Sequence, residues 1–340
     1  MFKLNIQHFA AGENVHTTTG MAVNSTGNIA PYDGGLSAEM KTYYSDYLID
    51  MAEPELVHDQ FGQKRAIPKN NGKVIEFRKY DPLPTLTTPL TEGVTPDGQN
   101  LSVKTITAEV KQYGGYVELS DMLLMTAIDN NLVEATALLG GQAGRTLDTI
   151  TREVLAGGTN VQFAEGQVTE RSILSAAEGH KLTVDAIRKA VRTLKRQNAK
   201  PINGSFVGII HPDAAYDLMS DPKWVNVKTY SDPEGIYNGE IGKIENVRFV
   251  ESSEAKIFEG EGGGGEDVYA TTILGANAYG TTDISGGGLQ HIVKQLGSAG
   301  TSDPINQRAT AGWKATKAAV RLVEQYMVRI ETAASINQEG

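Results

Sequence analysis

The sequence predicts an α+β fold in which an extended β-hairpin projects from a body of helices and strands. Two stretches, 131–155 and 183–199, place apolar residues at helical spacing. Two others, 73–80 and 102–111, are strand-like, and they enclose about twenty residues that hold four of the chain's 12 prolines. Long helices, short scattered strands and a proline-rich insert together indicate this fold class.

The composition describes a globular chain and excludes several classes of protein. The 340 residues suggest about two domains, and 40% hydrophobic residues suffice for a sizeable core. The absence of cysteine excludes disulfide scaffolds, cysteine-ligated zinc, iron–sulfur clusters and thiol nucleophiles. No apolar run approaches the roughly 18 residues of a membrane-spanning helix, and the first ten residues lack the apolar stretch of a signal peptide. We therefore expect no membrane partner and no export.

The charge balance bears on nucleic-acid binding. Lys and Arg number 31 and Asp and Glu number 41, so the formal net charge is −10. A chain of this charge is not expected to bind nucleic acid tightly, because tight binding requires many phosphates to be neutralised.

Residues 1–36 are predicted to form an N-terminal arm outside the packed body. They are rich in Thr, Asn, Gly and Ala and show no sustained period of helix or strand. Such a segment buries too little apolar surface to offset its chain entropy, so it is either disordered or ordered against another chain. A short helix is predicted to follow from Ser37 to Asp50, with Ser37 as its N-cap.

The extended hairpin is predicted from its two strands and their connection. Strand 102–111 alternates between apolar and polar residues. The four prolines between positions 82 and 96 make the connection neither helix nor central strand, and Asp97–Gly98 is a turn signal. Because an isolated hairpin is marginal in water, we expect a contact outside it to hold it.

A long helix is predicted from about Asn131 to Leu155, after a strand at 116–119 and a short helix that Ser120 caps and that runs through Ile128. One stripe of apolar residues at spacings of three and four comprises Leu132, Ala135, Leu139, Ala143, Leu147, Ile150 and Val154. Three glycines interrupt this helix: Gly140, Gly141 and Gly144. We attribute them to a bend or to the close approach of a neighbouring element, rather than to anion binding.

A second amphipathic helix lies at 183–199, with Thr183 as its expected N-cap and a buried stripe of Val184, Ile187, Val191 and Leu194. Its basic face comprises Arg188, Lys189, Arg192, Lys195 and Arg196. We interpret this face as solvated rather than as a contact for DNA or an acidic neighbour, because no aromatic residues interleave with it for stacking.

Short strands and turns make up the rest of the predicted body. A buried strand at 205–210 leads into a short helix opened by Pro212. Further predicted strands lie at 241–251, 269–274, 320–323 and 326–330.

The sequence predicts no enzyme, no cofactor, and no catalytic, cofactor-binding or metal-binding residues. Residues 260–265 satisfy the dinucleotide pattern G-x-G-x-x-G, but they precede a strand and lie among carboxylates that repel phosphate, so a flexible hairpin loop is the better interpretation. Phosphate-binding-loop, H-E-x-x-H and G-x-S-x-G motifs are absent, and the six histidines lack ligand spacing. A pair of carboxylates for glycoside hydrolysis depends on the fold and stays open at this point.

Three phrases resemble the major capsid proteins of tailed bacteriophages: FVGIIHPD at 206–213, GEIGKIENVRFVESS at 239–253 and DPINQRATAGWK at 303–314. The resemblance covers nearly the full length and looks closest to the branch related to the major coat protein of phage N-four. It implies the Hong Kong 97-type capsid fold, with an N-terminal arm, an extended β-hairpin loop, a peripheral domain with a long spine helix and an axial α/β domain.

The resemblance also implies a domain organisation. Residues 1–36 would be the arm. Residues 37–179 would be the peripheral domain, with the extended loop at 72–118 and the spine helix at 131–155. Residues 180–305 would form the axial domain, and 306–340 would be strands that return to the peripheral domain.

The partners implied by the resemblance are other copies of the chain, arranged as pentamers and hexamers in an icosahedral shell around double-stranded DNA. A portal is also implied. A separate scaffolding protein is implied as well, because the arm is too short to replace a scaffold. Contact with packaged DNA would be loose and non-specific, and assembly would take place in the bacterial host cytoplasm before the protein resides in the virion. The Lys–Asn cross-link of some members is not carried over, since no motif places its residues.

The residues alone support the same mechanism, since an arm and a hairpin that cannot complete themselves require partners in trans. We expect subunit contacts at Arg78, Lys79, Asp81 and Glu92 near the hairpin. Two alternatives stay open at this point: an encapsulin-like cellular compartment shell, and a carbohydrate-active hydrolase with paired carboxylates.

Overall fold

The computed structural model describes residues 15–16, 22–23, 48, 51–52, 56–66, 73–80, 83–93, 95–126, 131–164, 169–224, 242–282, 289–298, 303 and 305–336. Most of the predicted arm lies outside these residues. Its described part is a pair of short antiparallel strands, β1 (Val15–His16) and β2 (Ala22–Val23). The predicted helix at 37–50 also lies outside them except at Leu48, which is helical and buried.

The chain forms two compact units. The first comprises residues 1–56, 112–146 and 284–316, and the second comprises residues 57–111, 147–283 and 317–340. The four domains implied by the resemblance stay a prediction.

The first unit contains a three-stranded sheet in the order β14–β15–β6. These strands are β6 (Lys111–Ser120), β14 (Leu289–Lys294) and β15 (Arg308–Lys317). Helix α1 (Asp121–Thr126) follows β6, and the Oγ of Ser120 accepts a hydrogen bond from the backbone N–H of Leu123 at 3.2 Å. The predicted cap is therefore present.

The long helix α2 (Asn131–Ala156) is observed as predicted. An added Cβ at Gly140 would lie 2.7 Å from the Cβ of Met51 and 2.9 Å from the carbonyl oxygen of Leu48, which confirms close approach as the reason for this glycine. The predicted stripe is correct at Ala135, Leu139, Ala143 and Leu147.

The predicted stripe of α2 is wrong further along the helix. Ile150 and Val154 are only half-buried, whereas the polar Asp148 and Thr151 are fully buried. Asp148 and Thr151 are buried because they contact His58 and Asp59, which lie about 90 positions away in the sequence. The helical period of the sequence cannot reveal such partners.

The second unit is built on a mixed seven-stranded sheet in the order β7–β17–β12–β8–β10–β9, with β11 paired to β12. Its strands are β7 (Val161–Phe163), β8 (Phe206–Ile210), β9 (Lys243–Ile244), β10 (Val247–Glu251), β11 (Ile257–Phe258), β12 (Val268–Leu274) and β17 (Met327–Ala333). Strands β8, β12 and β17 are buried along their whole length.

Two helices accompany this sheet, α3 (Val184–Arg196) and α4 (Pro212–Met219). The Oγ1 of Thr183 caps α3 by accepting from the N–H of Ala186 at 3.2 Å, as the sequence predicts. The predicted apolar stripe of α3 is buried in the main core together with Phe206, Tyr269 and Ile330.

The second unit also holds a three-stranded sheet in the order β16–β13–β3 and a two-stranded sheet formed by the hairpin. Strand β3 is Gln63–Arg65, β13 is Tyr279–Thr282 and β16 is Ala319–Arg321. The hairpin consists of β4 (Val74–Tyr80) and β5 (Val103–Glu109).

Several strand predictions need correction. The single strand predicted at 241–251 is the hairpin β9–β10, because Glu245 and Asn246 both adopt positive φ, at 47° and 69°, and reverse the chain. Strands β13, β14 and β15 were not predicted. The reason is plain in β15, whose sequence RATAGWKATK has only two β-branched residues, both threonines.

The loop at 260–265 connects the antiparallel strands β11 and β12, as a hairpin loop is expected to do. Backbone hydrogen bonds connect it to the rest of the chain. The N–H of Gly263 donates to the carbonyl of Leu174 at 2.7 Å, and that of Gly262 donates to Glu266 at 2.8 Å.

Candidate subunit interface at the extended hairpin

Strands β4 and β5 pair antiparallel over seven residue pairs, from Val74 opposite Glu109 to Tyr80 opposite Val103. The predicted alternation of β5 is observed: Ala108 is buried and Ile106 half-buried, while Thr105 and Thr107 are exposed. The pattern of the sequence therefore fixes which face of the hairpin is apolar.

The apolar face of the hairpin packs on the chain's own second unit. Ile75, Phe77 and Ala108 form a buried cluster with Ala318. The Phe77 ring lies where a Cβ of residue 280 would be, so Gly280 makes room for it. The base of the hairpin is thus held by residues outside the hairpin, as expected, and these residues belong to the same chain.

The tip segment, defined as residues 83–93 and 95–102, is exposed at every position. Leu86 and Leu90 each expose 77% of their surface. The chain turns at Glu92–Gly93, where Gly93 adopts φ of 79°. The turn predicted at Asp97–Gly98 is not observed. Gly98 does not adopt the positive φ that a tight Asp-Gly turn requires, whereas Gly93 does.

The tip segment is acidic as well as apolar. Its ionisable side chains are Glu92 and Asp97, and its sequence contains no Lys, Arg or His. Exposed leucines next to carboxylates, on a segment that contributes nothing to the core, are typical of an interaction surface.

A cavity of about 840 Å³ opens beside the base of the hairpin, within the second unit. Its lining residues are Gln63, Arg65, Glu76, Arg78, Lys200, Ala276, Asn277, Leu322, Val323 and Tyr326. Three of these are cationic and one is a carboxylate. Within the described part of the chain, no carboxylate forms a salt bridge with Arg65, Arg78 or Lys200.

Three of the four residues expected at subunit contacts belong to the described part of the chain. Arg78 is exposed on β4 and lines this cavity, whereas Glu92 is exposed in the tip segment. Lys79 lies on β4, where its backbone is paired with Lys104, and Asp81 falls outside the described residues. The structure thus places a cation and an anion of the predicted set on two distinct parts of the hairpin.

A buried polar cluster of the second unit was not predicted. The carboxylate of Asp59 accepts from Thr281 Oγ1 at 2.6 Å and from Thr151 Oγ1 at 3.1 Å, and it forms an ion pair with Lys317. Burial lowers the pKa of Lys317, and the charge of Asp59 opposes this shift.

A neighbouring pair completes this cluster, because Asp148 accepts from the backbone N–H of His58 and contacts its Nδ1, both at 2.6 Å. No pattern in the sequence indicates these partners, since Asp59 and Lys317 lie 258 positions apart. The cluster anchors segment 57–66, which includes β3.

The described residues contain neither a metal site nor a membrane-spanning helix. None of their His, Asp and Glu side chains form a group of three that could hold a metal ion. No helix in the described part of the chain is long and apolar enough to span a membrane.

The chain is similar in fold to three capsid structures. The capsid of Ralstonia phage GP4 aligns with a TM-score of 0.63 and 15% identity, covering 81% of this chain and 88% of that one. The capsid of cyanophage P-SCSP1u aligns with a TM-score of 0.61 and 14% identity, covering 81% of this chain and 87% of that one. The head of Helicobacter pylori bacteriophage KHP40 aligns with a TM-score of 0.59 and 12% identity, covering 84% of this chain and 91% of that one. These alignments confirm the predicted Hong Kong 97-type capsid fold.

A search of curated proteins found no match. The family model described as phage capsid protein matches residues 103–330, which is most of the chain. Proteins of this family are structural, so the prediction that the chain is not an enzyme is confirmed and the hydrolase alternative is excluded. By this match and the shared fold, the chain belongs to the phage capsid protein family.

Proposed function

We propose that this chain is the major capsid protein of a tailed bacteriophage, and that many copies close an icosahedral shell around double-stranded DNA through contacts made by their hairpins. The observation that carries this mechanism is the tip segment, whose leucines and carboxylates are exposed at every position while its base is anchored in the chain. A feature of this kind is completed by a neighbouring copy, and heterologous contacts close a shell when their rotation closes.

The proposal includes partners that the family implies. A separate scaffolding protein and a portal would direct assembly in the host cytoplasm, and the net charge of −10 keeps packaged DNA from adhering to the wall. Co-expression with a candidate scaffold, followed by electron microscopy, tests the first of these. Purified particles that hold an enzyme instead of a genome would favour the encapsulin-like alternative.

Charge reversal at the hairpin tests the subunit contacts. We expect R78E/K79E and D81K/E92K to leave the monomer folded by circular dichroism, but to reduce the yield of closed particles about tenfold, because like charges would face each other across the contact. The control for R78E/K79E is R192E/K195E on the exposed basic face of α3, which makes the same charge change elsewhere. Normal particles from both hairpin variants would contradict the proposed contacts.

A further inference from the structure

We infer that the cavity beside the hairpin base is the receptor for the tip segment of a second copy of this chain. This inference rests on the proposed function and names the partner of the hairpin at the level of residues. It assigns a role to the 840 Å³ cavity, which the fold itself does not explain.

The receptor side is a basic cavity with an apolar floor. Arg65, Arg78 and Lys200 are exposed at its wall, and among the described lining residues Glu76 is the only carboxylate. Leu322, Val323 and Tyr326 supply apolar surface. Its volume falls in the range of about 300–1,000 Å³ that is usual for ligand-binding pockets.

The ligand side has the complementary chemistry. The tip segment presents Leu86 and Leu90, each 77% exposed, next to the carboxylates of Glu92 and Asp97. The leucines can pack against the apolar lining residues of the cavity. The two carboxylates can pair with its cations, which outnumber its described carboxylates. Because the tip segment has no cation of its own, nothing within it competes for its carboxylates.

The contact is formed between copies rather than within one. In its own chain the tip segment is exposed at every described position, so it does not occupy its own cavity. Glu76 and Arg78 of the cavity wall lie on β4, the strand that leads into the tip. Each copy therefore carries one tip and one receptor, and such head-to-tail contacts form rings when the rotation closes.

Cross-linking tests this arrangement directly, because the chain has no cysteine. Thr91→Cys places a thiol in the tip segment next to Glu92, and Ala276→Cys places one in the cavity. Particles of the double variant, treated with a short bismaleimide, are expected to give a ladder of covalent dimers, trimers and larger species on a denaturing gel. Each single variant carries one thiol and is the matched control, in which we expect monomer. Particles assembled from a mixture of the two single variants should give a dimer containing one of each.

Charge exchange gives an independent measure. We expect E92K/D97K in the tip, or R65E/K200E in the cavity, to reduce assembly about tenfold, and the combined variant to restore it within about threefold. Particles that form normally but give no ladder would overturn the docking inference while leaving the capsid function intact. Failure of the unmodified chain to form particles, with its scaffold present, would instead contradict the proposed function.

Discussion

The Asp59–Lys317 pair shows how single residues hold segment 57–66 in place. The side chains are 3% and 0% exposed, and two threonine hydroxyls satisfy the carboxylate. Removing one partner of such a pair leaves a buried charge without compensation, which costs more than the pair itself contributes.

We therefore expect Lys317→Met to reduce the free energy of unfolding by about 3–5 kcal/mol, measured by urea denaturation. The double variant Lys317→Met with Asp59→Asn should lose less unfolding free energy than Lys317→Met alone. Its neutral amide can still accept hydrogen bonds from the hydroxyls of Thr151 and Thr281. Equal losses in the single and double variants would contradict the role of the uncompensated carboxylate.

His211 couples the fold to pH through the cap of α4. Its Nδ1 accepts from the N–H of Asp213 at 3.2 Å, which requires that nitrogen to be unprotonated. Burial lowers the pKa of His211 below its usual 6.5, and the charge of Asp213 opposes this only in part. The folded chain thus binds the proton less readily than the unfolded chain does.

The stabilisation from neutral His211 is accordingly complete above pH 6.5 and is lost as the pH falls from 6.5 through the lowered pKa. We expect His211→Asn, which keeps a capping side chain, to flatten the dependence of unfolding free energy on pH between about 7 and 5. If urea denaturation shows the same dependence of unfolding free energy on pH in the variant, a group other than His211 causes the acid sensitivity.

At the scale of elements, local signals predicted much of the fold. The caps at Ser120 and Thr183, the period of α2 and α3, and the alternation of β5 all follow from neighbours within a few residues. The strands that were missed depend on distant partners: β15, for example, is paired with β14 and β6, and its own residues have weak strand preference. Element type was therefore predictable where the sequence is periodic, and not where pairing decides it.

The glycines of α2 offer a matched pair of substitutions. We expect Gly140→Ala to destabilise the chain by about 1–3 kcal/mol, because its Cβ would meet the backbone at Leu48. Gly141→Ala should stabilise it by up to about 1 kcal/mol, because no atom lies within 4 Å and Ala is the better helix former. Thermal denaturation measures both, and a stabilising Gly140→Ala would contradict the close approach.

For the whole molecule, the family and fold were predictable because the resemblance rests on short contiguous phrases such as 239–253, which lies within the residues that the family model matches. The candidate interface was predictable in part. The proline-rich insert indicated an exposed tip, which is observed, whereas the subunit contacts at Arg78 and Glu92 stay a prediction. The cavity was not predictable, since it joins residues from five distant segments: 63–65, 76–78, 200, 276–277 and 322–326.

Removing the tip separates folding from assembly. We expect a chain in which Asn-Gly replaces residues 81–102 to keep its melting temperature within a few degrees, because the described residues of this stretch are exposed and surface changes alter stability by about 0.5 kcal/mol or less. It should form no closed particles by electron microscopy. Intact shells from this variant would show that the hairpin tip is dispensable.

The anchored base of the hairpin has a geometric consequence for a lattice of copies. Because Phe77 and Ile75 fix the direction of the strands before any neighbour arrives, little orientational freedom is lost when copies meet. In the proposed lattice, the hairpin would be a rigid connection whose length sets the distance from one copy to the next. Inserting or deleting residue pairs in its strands, at about 3.3 Å per residue, should change the curvature and diameter of the particle in steps.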